Sequence, residues 1–312
     1  MSKTVLLFPG QGSQKVGMGA DLAKEFSVAK ETFEEADDAL HLSISKLCFE
    51  GPIEDLTLTM NTQPAILTTS IAAFRVFQTE CDPSFDLAMG HSLGEWTALV
   101  AAGALSLADA VRLVRRRGQA MQEAVAPGVG AMAAILGLDS DAVEAVCEGA
   151  SSDSESCQPA NYNGGGQVVV SGHKVAVERA MALAKEAGAK RAVALNVSAP
   201  FHSSLMKPAQ TAVEESLSEI DVGELNVPVI ANVDAKANQD ASRVKSLLAL
   251  QVTESVRWEQ SVQHAVELGA SRGIELGCGA VLRGLIRRID RSLEVSGLGT
   301  SKDLAGLENK AA

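Results

Sequence analysis

Apolar and polar positions fall into blocks along the chain, and the period of the pattern changes from block to block. Residues 4–8 are a short apolar run that predicts a buried strand. Residues 21–40 interleave apolar and polar positions as a helix does. A second helix is expected over 63–77, with Pro64 near its start, where a missing N–H costs little. Residues 85–89 predict a short strand that runs into Gly90-His91-Ser92-Leu93-Gly94, and a helix over 95–102 follows. Ser106-Leu107-Ala108-Asp109 resembles a capping box and opens a helix to about residue 125.

After Pro127-Gly128 the texture changes. Strands are expected over 130–138, 159–162, 167–171 and 191–197, and helices over 141–148 and 174–188. The order β-α-β-β-α-β suggests a ferredoxin-like insert of roughly 70 residues. We place this small domain at 128–198. The larger domain, 1–127 and 199–312, resumes with strands over 227–232 and 274–276. Its helices are expected over 243–251 and 282–289, the last clear helix. Strands alternating with helices imply an α/β fold with a mainly parallel sheet. The tail 308–312 is expected to fray.

Composition narrows the function classes. A chain of 312 residues exceeds what one small core absorbs. The net charge of −12 disfavours wholesale binding to nucleic acid or anionic membrane. The five cysteines are scattered, with no C-x-x-C pair, so neither a disulfide framework nor a zinc site is expected. Reduced thiols point to the cytoplasm. The N-terminal run VLLF is too short for the core of a signal peptide, and residues 98–105 are too few to span a bilayer, so a soluble, unanchored protein is expected.

Gly90-His91-Ser92-Leu93-Gly94 fits G-x-S-x-G in the setting that motif requires: apolar strand, motif, helix. Small residues permit a sharp turn that exposes the Ser92 hydroxyl, and the Leu93 N–H would help hold a developing oxyanion. A glycine-bounded turn with a capping serine is the plainer alternative. A serine needs a base. His41, His173 and His264 lie in polar, strand-end and helical settings, and His91 points away on the elbow. His202 sits in Ala199-Pro200-Phe201-His202-Ser203, a proline-fixed turn just after the insert. No aspartate stands out as a third member, although Asp221 and Asp234 follow. A backbone carbonyl or an amide could orient the ring instead.

Arg117 falls in the middle of the apolar face formed by Ala110, Leu113, Val114 and Met121. Its neighbours Arg112, Arg115 and Arg116 fall outside that face as ordinary solvated charge. A buried arginine needs an anionic partner. A structural ion pair and a fork for a substrate carboxylate both fit. The glycine-rich loop FPGQGSQ after the first strand lacks G-K-[ST], and its glycine spacing fails G-x-G-x-x-G, so a nucleotide-binding domain is a weak reading.

FPGQGSQ, GHSLGE, RRRGQAMQ, NYNGGGQVVVSG and VSAPFHSSLM together resemble the malonyl-CoA:acyl carrier protein transacylases of dissociated bacterial fatty-acid synthesis. The likeness runs from residue 4 to about residue 290. It implies an α/β-hydrolase-like large domain interrupted by a ferredoxin-like small one. It also implies ping-pong transfer of malonyl from malonyl-CoA to the phosphopantetheine thiol of acyl carrier protein, with no tightly bound cofactor.

On this resemblance Ser92 is the nucleophile and His202 the base. The Gln11 and Leu93 N–H groups form the oxyanion hole, and Arg117 pairs with the malonyl carboxylate. Gln251 offers its backbone carbonyl to His202. Met121 and Phe201 line the acyl pocket, and Phe201 leans toward malonyl. Relatives carry a serine–proline or similar pair where this chain has Gly164-Gly165-Gly166, which predicts a more mobile loop. Trp96 replaces a common tyrosine, as a packing change. Carrier protein and chain are both acidic, so docking needs a local basic patch. Lys190 and Arg191, with Arg283, Arg287, Arg288 and Arg291, are the candidates, and solvated charge on a helix face is the plainer alternative for any one of them. A monomer is expected. A serine thioesterase on the same Ser-His pair is the alternative, and Arg117 argues against it.

Overall fold

A computed structural model describes residues 2–81 and 84–308. Among the described residues ten strands form two sheets. The larger sheet contains β1 (Lys3–Phe8), β2 (Leu87–Gly90), β7 (Val229–Ile230), β8 (Ala237–Asn238), β9 (Ala270–Leu276) and β10 (Glu294–Leu298). Its order is β10-β9-β1-β2-β7-β8, and all pairs but β7–β8 are parallel. The smaller sheet contains β3 (Gly130–Leu136), β4 (Cys157–Gly164), β5 (Gln167–His173) and β6 (Arg191–Ala194), in the antiparallel order β4-β5-β3-β6.

The run Val5-Leu6-Leu7-Phe8 is wholly buried because β1 lies at the centre of a parallel sheet covered on both faces. Alternation along it serves two cores. Leu6 and Phe8 join the main core, whereas Val5 and Leu7 pack with Trp258, Val262 and Ile286 on the other face. The small sheet divides likewise. Ile135, Val168 and Val170 pack under helices Ser140–Ala150 and Lys174–Glu186, while Met132, Ala134 and Val169 face the main core.

Several boundaries differ from the sequence reading. The helix expected over 21–40 is two helices, Ala20–Glu25 and Ser27–Leu40, broken at Phe26, which is extended (φ −127°, ψ 123°). The helix expected from residue 63 begins at Thr59 and runs to Cys81, so Pro64 lies inside it. Helices Ile44–Glu50 and Lys207–Ser218 were not among the expected elements, although each buries residues four apart. β7 and β6 are shorter than expected, and β4 is longer. Helix Val281–Ile289 is not the last, because β10 and helix Ser301–Glu308 follow. Arg115 is half-buried and donates to Asn61 at 2.9 Å, so it is not simply solvated. Residues 309–312 of the tail expected to fray lie outside the described residues. No helix among the described residues is long and apolar enough to cross a membrane.

One helix crossing positions the site. Helix Leu107–Glu123 passes helix Thr59–Cys81 so closely that a Cβ on Gly118 would stand 2.7 Å from the Thr59 carbonyl oxygen. That approach brings Arg117 beside Gln63.

Candidate active site

β2 ends at Gly90, and helix Leu93–Ala101 begins three residues later. Between them Ser92 adopts φ 51°, ψ −103°, a costly conformation for a residue with a Cβ. The flanking glycines make the turn possible. A Cβ on Gly90 would lie 2.1 Å from the Gly94 carbonyl carbon, and one on Gly94 only 1.9 Å from the Phe8 carbonyl oxygen. Gly10 presses the loop after β1 against the elbow, since its Cβ would meet the His91 carbonyl oxygen at 2.4 Å. Asn232 holds the strained residue: its Oδ1 accepts the Ser92 N–H at 2.8 Å and its Nδ2 donates to the Gly90 carbonyl at 2.8 Å.

The Ser92 Oγ stands 2.8 Å from His202 Nε2. The other ring nitrogen, Nδ1, faces the backbone carbonyls of Gln251 at 2.8 Å and Glu254 at 3.2 Å. Two carbonyl acceptors fix the proton on Nδ1 and leave the Nε2 lone pair toward the hydroxyl. The ring itself is buried. Neither Asp221 nor Asp234 takes this place.

Arg117 completes the cluster. It is 1% exposed, the third largest of the fully buried side chains among the described residues. Nη2 donates to Ser92 Oγ at 3.1 Å and to Gln251 Oε1 at 3.0 Å, and Nη1 donates to Gln63 Oε1 at 2.8 Å. Nε is buried without a partner. A guanidinium held by neutral amides, with a donor to spare, is suited to receive an anion.

Burial and charge set the protonation states. Desolvation, reinforced by the Arg117 charge, pushes His202 down to about 3, so the ring is neutral near pH 7 and free to accept a proton. Burial lowers Arg117 to about 10, against an opposing pull from Glu95, and it stays cationic. Burial raises Glu95 to about 7. Among the described residues, no group of three or more His, Cys, Asp or Glu could hold a metal ion.

A serine on a strained elbow, a neutral histidine and a buried arginine converging on one oxygen can carry out acyl transfer. The family model for an acyl transferase domain matches residues 5–306. The chain belongs to the acyl transferase domain family. It is 49% identical over 294 residues to the malonyl CoA-acyl carrier protein transacylase of Bacillus subtilis, covering 94% of this chain and 92% of that protein. The crystal structure of an acyl carrier protein S-malonyltransferase from Vibrio cholerae matches with a TM-score of 0.96 at 45% identity, over 98% of this chain and 100% of that one. A malonyl-transacylase solved with its type II PKS acyl-carrier protein matches with a TM-score of 0.95 at 42% identity, over 99% and 100%.

In this acyl transferase the remaining candidates fall as follows. Leu93 opens the helix after Ser92, so its N–H is one of those with no intrahelical acceptor. Gln11 is exposed in the turn after β1, and its side chain reaches Thr59 Oγ1 at 3.5 Å. Met121 is buried, with its sulfur 3.9 Å from Gln63 Nε2. Phe201 is buried beside His202 in sequence. His91 does point away, to Asn163 Oδ1 at 2.9 Å.

Lys190, Arg191, Arg287 and Arg288 are all exposed. Lys190 lines a groove with Gly137 and the glycine run Gly164–166. Arg288 packs on Gly165 and donates to Gln167 Oε1 at 3.2 Å. The glycine run is a tight turn between β4 and β5, with positive φ at all three residues and Gly166 accepting from the Gly137 N–H at 2.7 Å. The turn is braced by that contact. Trp96 does more than pack, since its Nε1 donates to Gln251 Oε1 at 3.3 Å.

Four residues that brace the cluster escaped the sequence reading: Gln63, Glu95, Asn232 and the side chain of Gln251. Two left a faint trace: Glu95 is the single charge in the apolar helix LGEWTALVA, and Asn232 is a lone polar residue at the end of the apolar run before it.

Proposed function

We propose that the protein transfers a malonyl group from malonyl-CoA to the phosphopantetheine thiol of acyl carrier protein through a malonyl-Ser92 intermediate. The observation that carries this reading is the meeting of His202 Nε2 and Arg117 Nη2 on the Ser92 Oγ, at 2.8 and 3.1 Å. A base and a carboxylate-binding cation on one nucleophile select an acyl group that itself bears a carboxylate. The names of the relatives agree.

His202 takes the hydroxyl proton as Ser92 Oγ attacks the thioester carbonyl. The Leu93 and Gln11 N–H groups receive the oxyanion. Collapse expels the CoA thiol, which leaves with the proton from His202. The carrier thiol then enters, His202 takes its proton, and the steps run in reverse. Arg117 holds the malonyl carboxylate throughout, with its unpartnered Nε and an Nη group as a two-point fork. Met121 and Phe201 bound the acyl group.

We read residues 1–127 and 199–312 as an α/β-hydrolase-like body and 128–198 as a ferredoxin-like insert; the two sheets and their strand orders support this. Lys190, Arg191, Arg287 and Arg288 form the docking patch for the acidic carrier, with Lys190 lining a groove and Arg288 against Gly165 and Gln167 of the same groove. The protein works as a cytoplasmic monomer and needs no bound cofactor.

The test is intact mass after incubation with malonyl-CoA. A malonyl adduct is expected, and Ser92→Ala abolishes it. Rapid hydrolysis of malonyl-CoA with no adduct and no transfer to the carrier points to the thioesterase instead.

A further inference from the structure

Glu95 is buried in the first turn of the helix behind Ser92. Its Oε2 accepts the Asn232 backbone N–H at 2.9 Å and Gln251 Nε2 at 2.7 Å. The same Gln251 amide turns its Oε1 to Arg117 Nη2 at 3.0 Å. Carboxylate and guanidinium therefore meet through one amide and not directly. The opposite amide orientation would set N–H groups against the guanidinium and oxygen against the carboxylate, so the two charges fix the flip. Asn232, the other partner of Glu95, holds the Ser92 N–H.

We propose that Glu95 is the resting counter-charge of Arg117, relayed through the Gln251 amide, and that it takes up a proton when the substrate carboxylate occupies the guanidinium. This rests on the malonyl reading above. One buried cation cannot cheaply balance two buried anions, and the anion in direct contact wins. The charged groups acting on Glu95 are Arg117, on the crossing helix, which favours its ionised form, and Asp234, in the turn after β7, which opposes it. His91, on the elbow, and His202, on the loop after β6, are both lowered by burial and carry no charge near neutrality. Glu95 thus stands near its balance point, at about 7, where a second carboxylate tips it. Glu95 is a positioning residue. Ionised, it orients the Gln251 amide that holds Arg117 at the serine; protonated, it leaves the cation to the acyl carboxylate.

The chemical step supplies no competing signal near neutrality, because the serine proton ends on the CoA thiol. Proton uptake on malonylation can therefore be read with an indicator dye in weak buffer, against the adduct measured by intact mass. At about pH 7.5 we expect several tenths of a proton per malonyl group, and at about pH 5.5, where Glu95 is already protonated, close to none. Acetylation from acetyl-CoA should take up none at either pH. Glu95→Gln keeps an oxygen to accept from Asn232 and Gln251, and its malonylation should take up no proton.

Full malonylation of the unmutated protein without uptake at about pH 7.5 overturns the proposal, as does equal uptake in Glu95→Gln. Where Glu95→Gln fails to fold, the comparison of malonyl with acetyl in the unmutated protein decides alone. Absence of any adduct overturns the malonyl reading itself, and the mass spectrum tells the two failures apart.

Discussion

His202 Nδ1 lies 2.8 Å from the backbone carbonyl oxygen of Gln251, and that carbonyl stands where a serine hydrolase commonly has a carboxylate. A main-chain acceptor fixes the tautomer but brings no negative charge to stabilise an imidazolium. The buried Arg117 works against that cation too. The ring is thus a base that gives its proton up readily, which suits a site where two thiols must in turn leave and attack.

Because the carbonyl belongs to the main chain, the side chain of Gln251 can be removed without removing the acceptor. Gln251→Ala should keep the Ser92–His202 pair but break the amide link among Arg117, Glu95 and Trp96. We expect kcat/KM for malonyl-CoA to fall about 10- to 100-fold, as for a hydrogen bond to a buried charge. Acylation by acetyl-CoA should fall less. Equal losses would place the whole effect on the histidine and not on Arg117. Rapid-quench acylation with each thioester makes the comparison.

Stability should respond to pH in two opposed ways. His202 is lowered from 6.5 to about 3 in the fold, so the unfolded chain binds its proton first and stability is lost as pH falls from about 6.5 toward 3. Glu95 is raised from 4.5 to about 7, so stability is highest below 4.5 on its account and is lost as pH rises toward 7. The two slopes oppose each other between 4.5 and 6.5. His202→Asn should therefore remove the rise below 4.5 and uncover a decline from 4.5 in a urea-midpoint profile, and Glu95→Gln should uncover a rise between 4.5 and 6.5. Profiles that move in parallel with the unmutated protein would contradict both assignments.

Two glycines of the opening motifs should behave differently on substitution. Gly94→Ala places a Cβ 1.9 Å from the Phe8 carbonyl oxygen, with backbone on both sides, and neither can yield. We expect a loss above about 4 kcal/mol or failure to fold. Gly12 has open space for a Cβ but φ 104°, so Gly12→Ala should cost only about 1 kcal/mol or somewhat more, through backbone strain. Chemical denaturation of both variants checks the ranking.

The sequence showed the parts of the site that have local grammar. G-x-S-x-G between strand and helix located Ser92, a proline turn after the insert located His202, and a charge on an apolar face located Arg117. The parts that stayed hidden depend on distant contacts. Asn232 reaches the elbow from the end of β7, 140 residues further along the chain, and Gln63 meets Arg117 across a helix crossing set by Gly118. The break at Phe26 was hidden for the opposite reason. It interrupts a pattern that stays helical in period on both sides, so periodicity had nothing to report there.

Arg117→Ala carries the sharpest consequence for substrate choice. The substitution removes the donor on Ser92 Oγ and, on the proposed reading, the fork for the malonyl carboxylate. The malonyl carboxylate would then enter a buried pocket unpaired, so kcat/KM for malonyl-CoA should fall at least about 100-fold, a loss of about 3 kcal/mol. Acetyl-CoA bears no such charge, and its rate should fall far less or rise. Glu95 also loses its cation, but a carboxyl already raised to about 7 can protonate in place of remaining a stranded charge. The fold should therefore tolerate the change better than burial of Arg117 suggests, with the residual stability growing as pH falls toward 6.5, below which His202 opposes it. A malonyl-to-acetyl ratio left unchanged in the purified, folded variant would remove Arg117 from carboxylate recognition and leave it a structural ion.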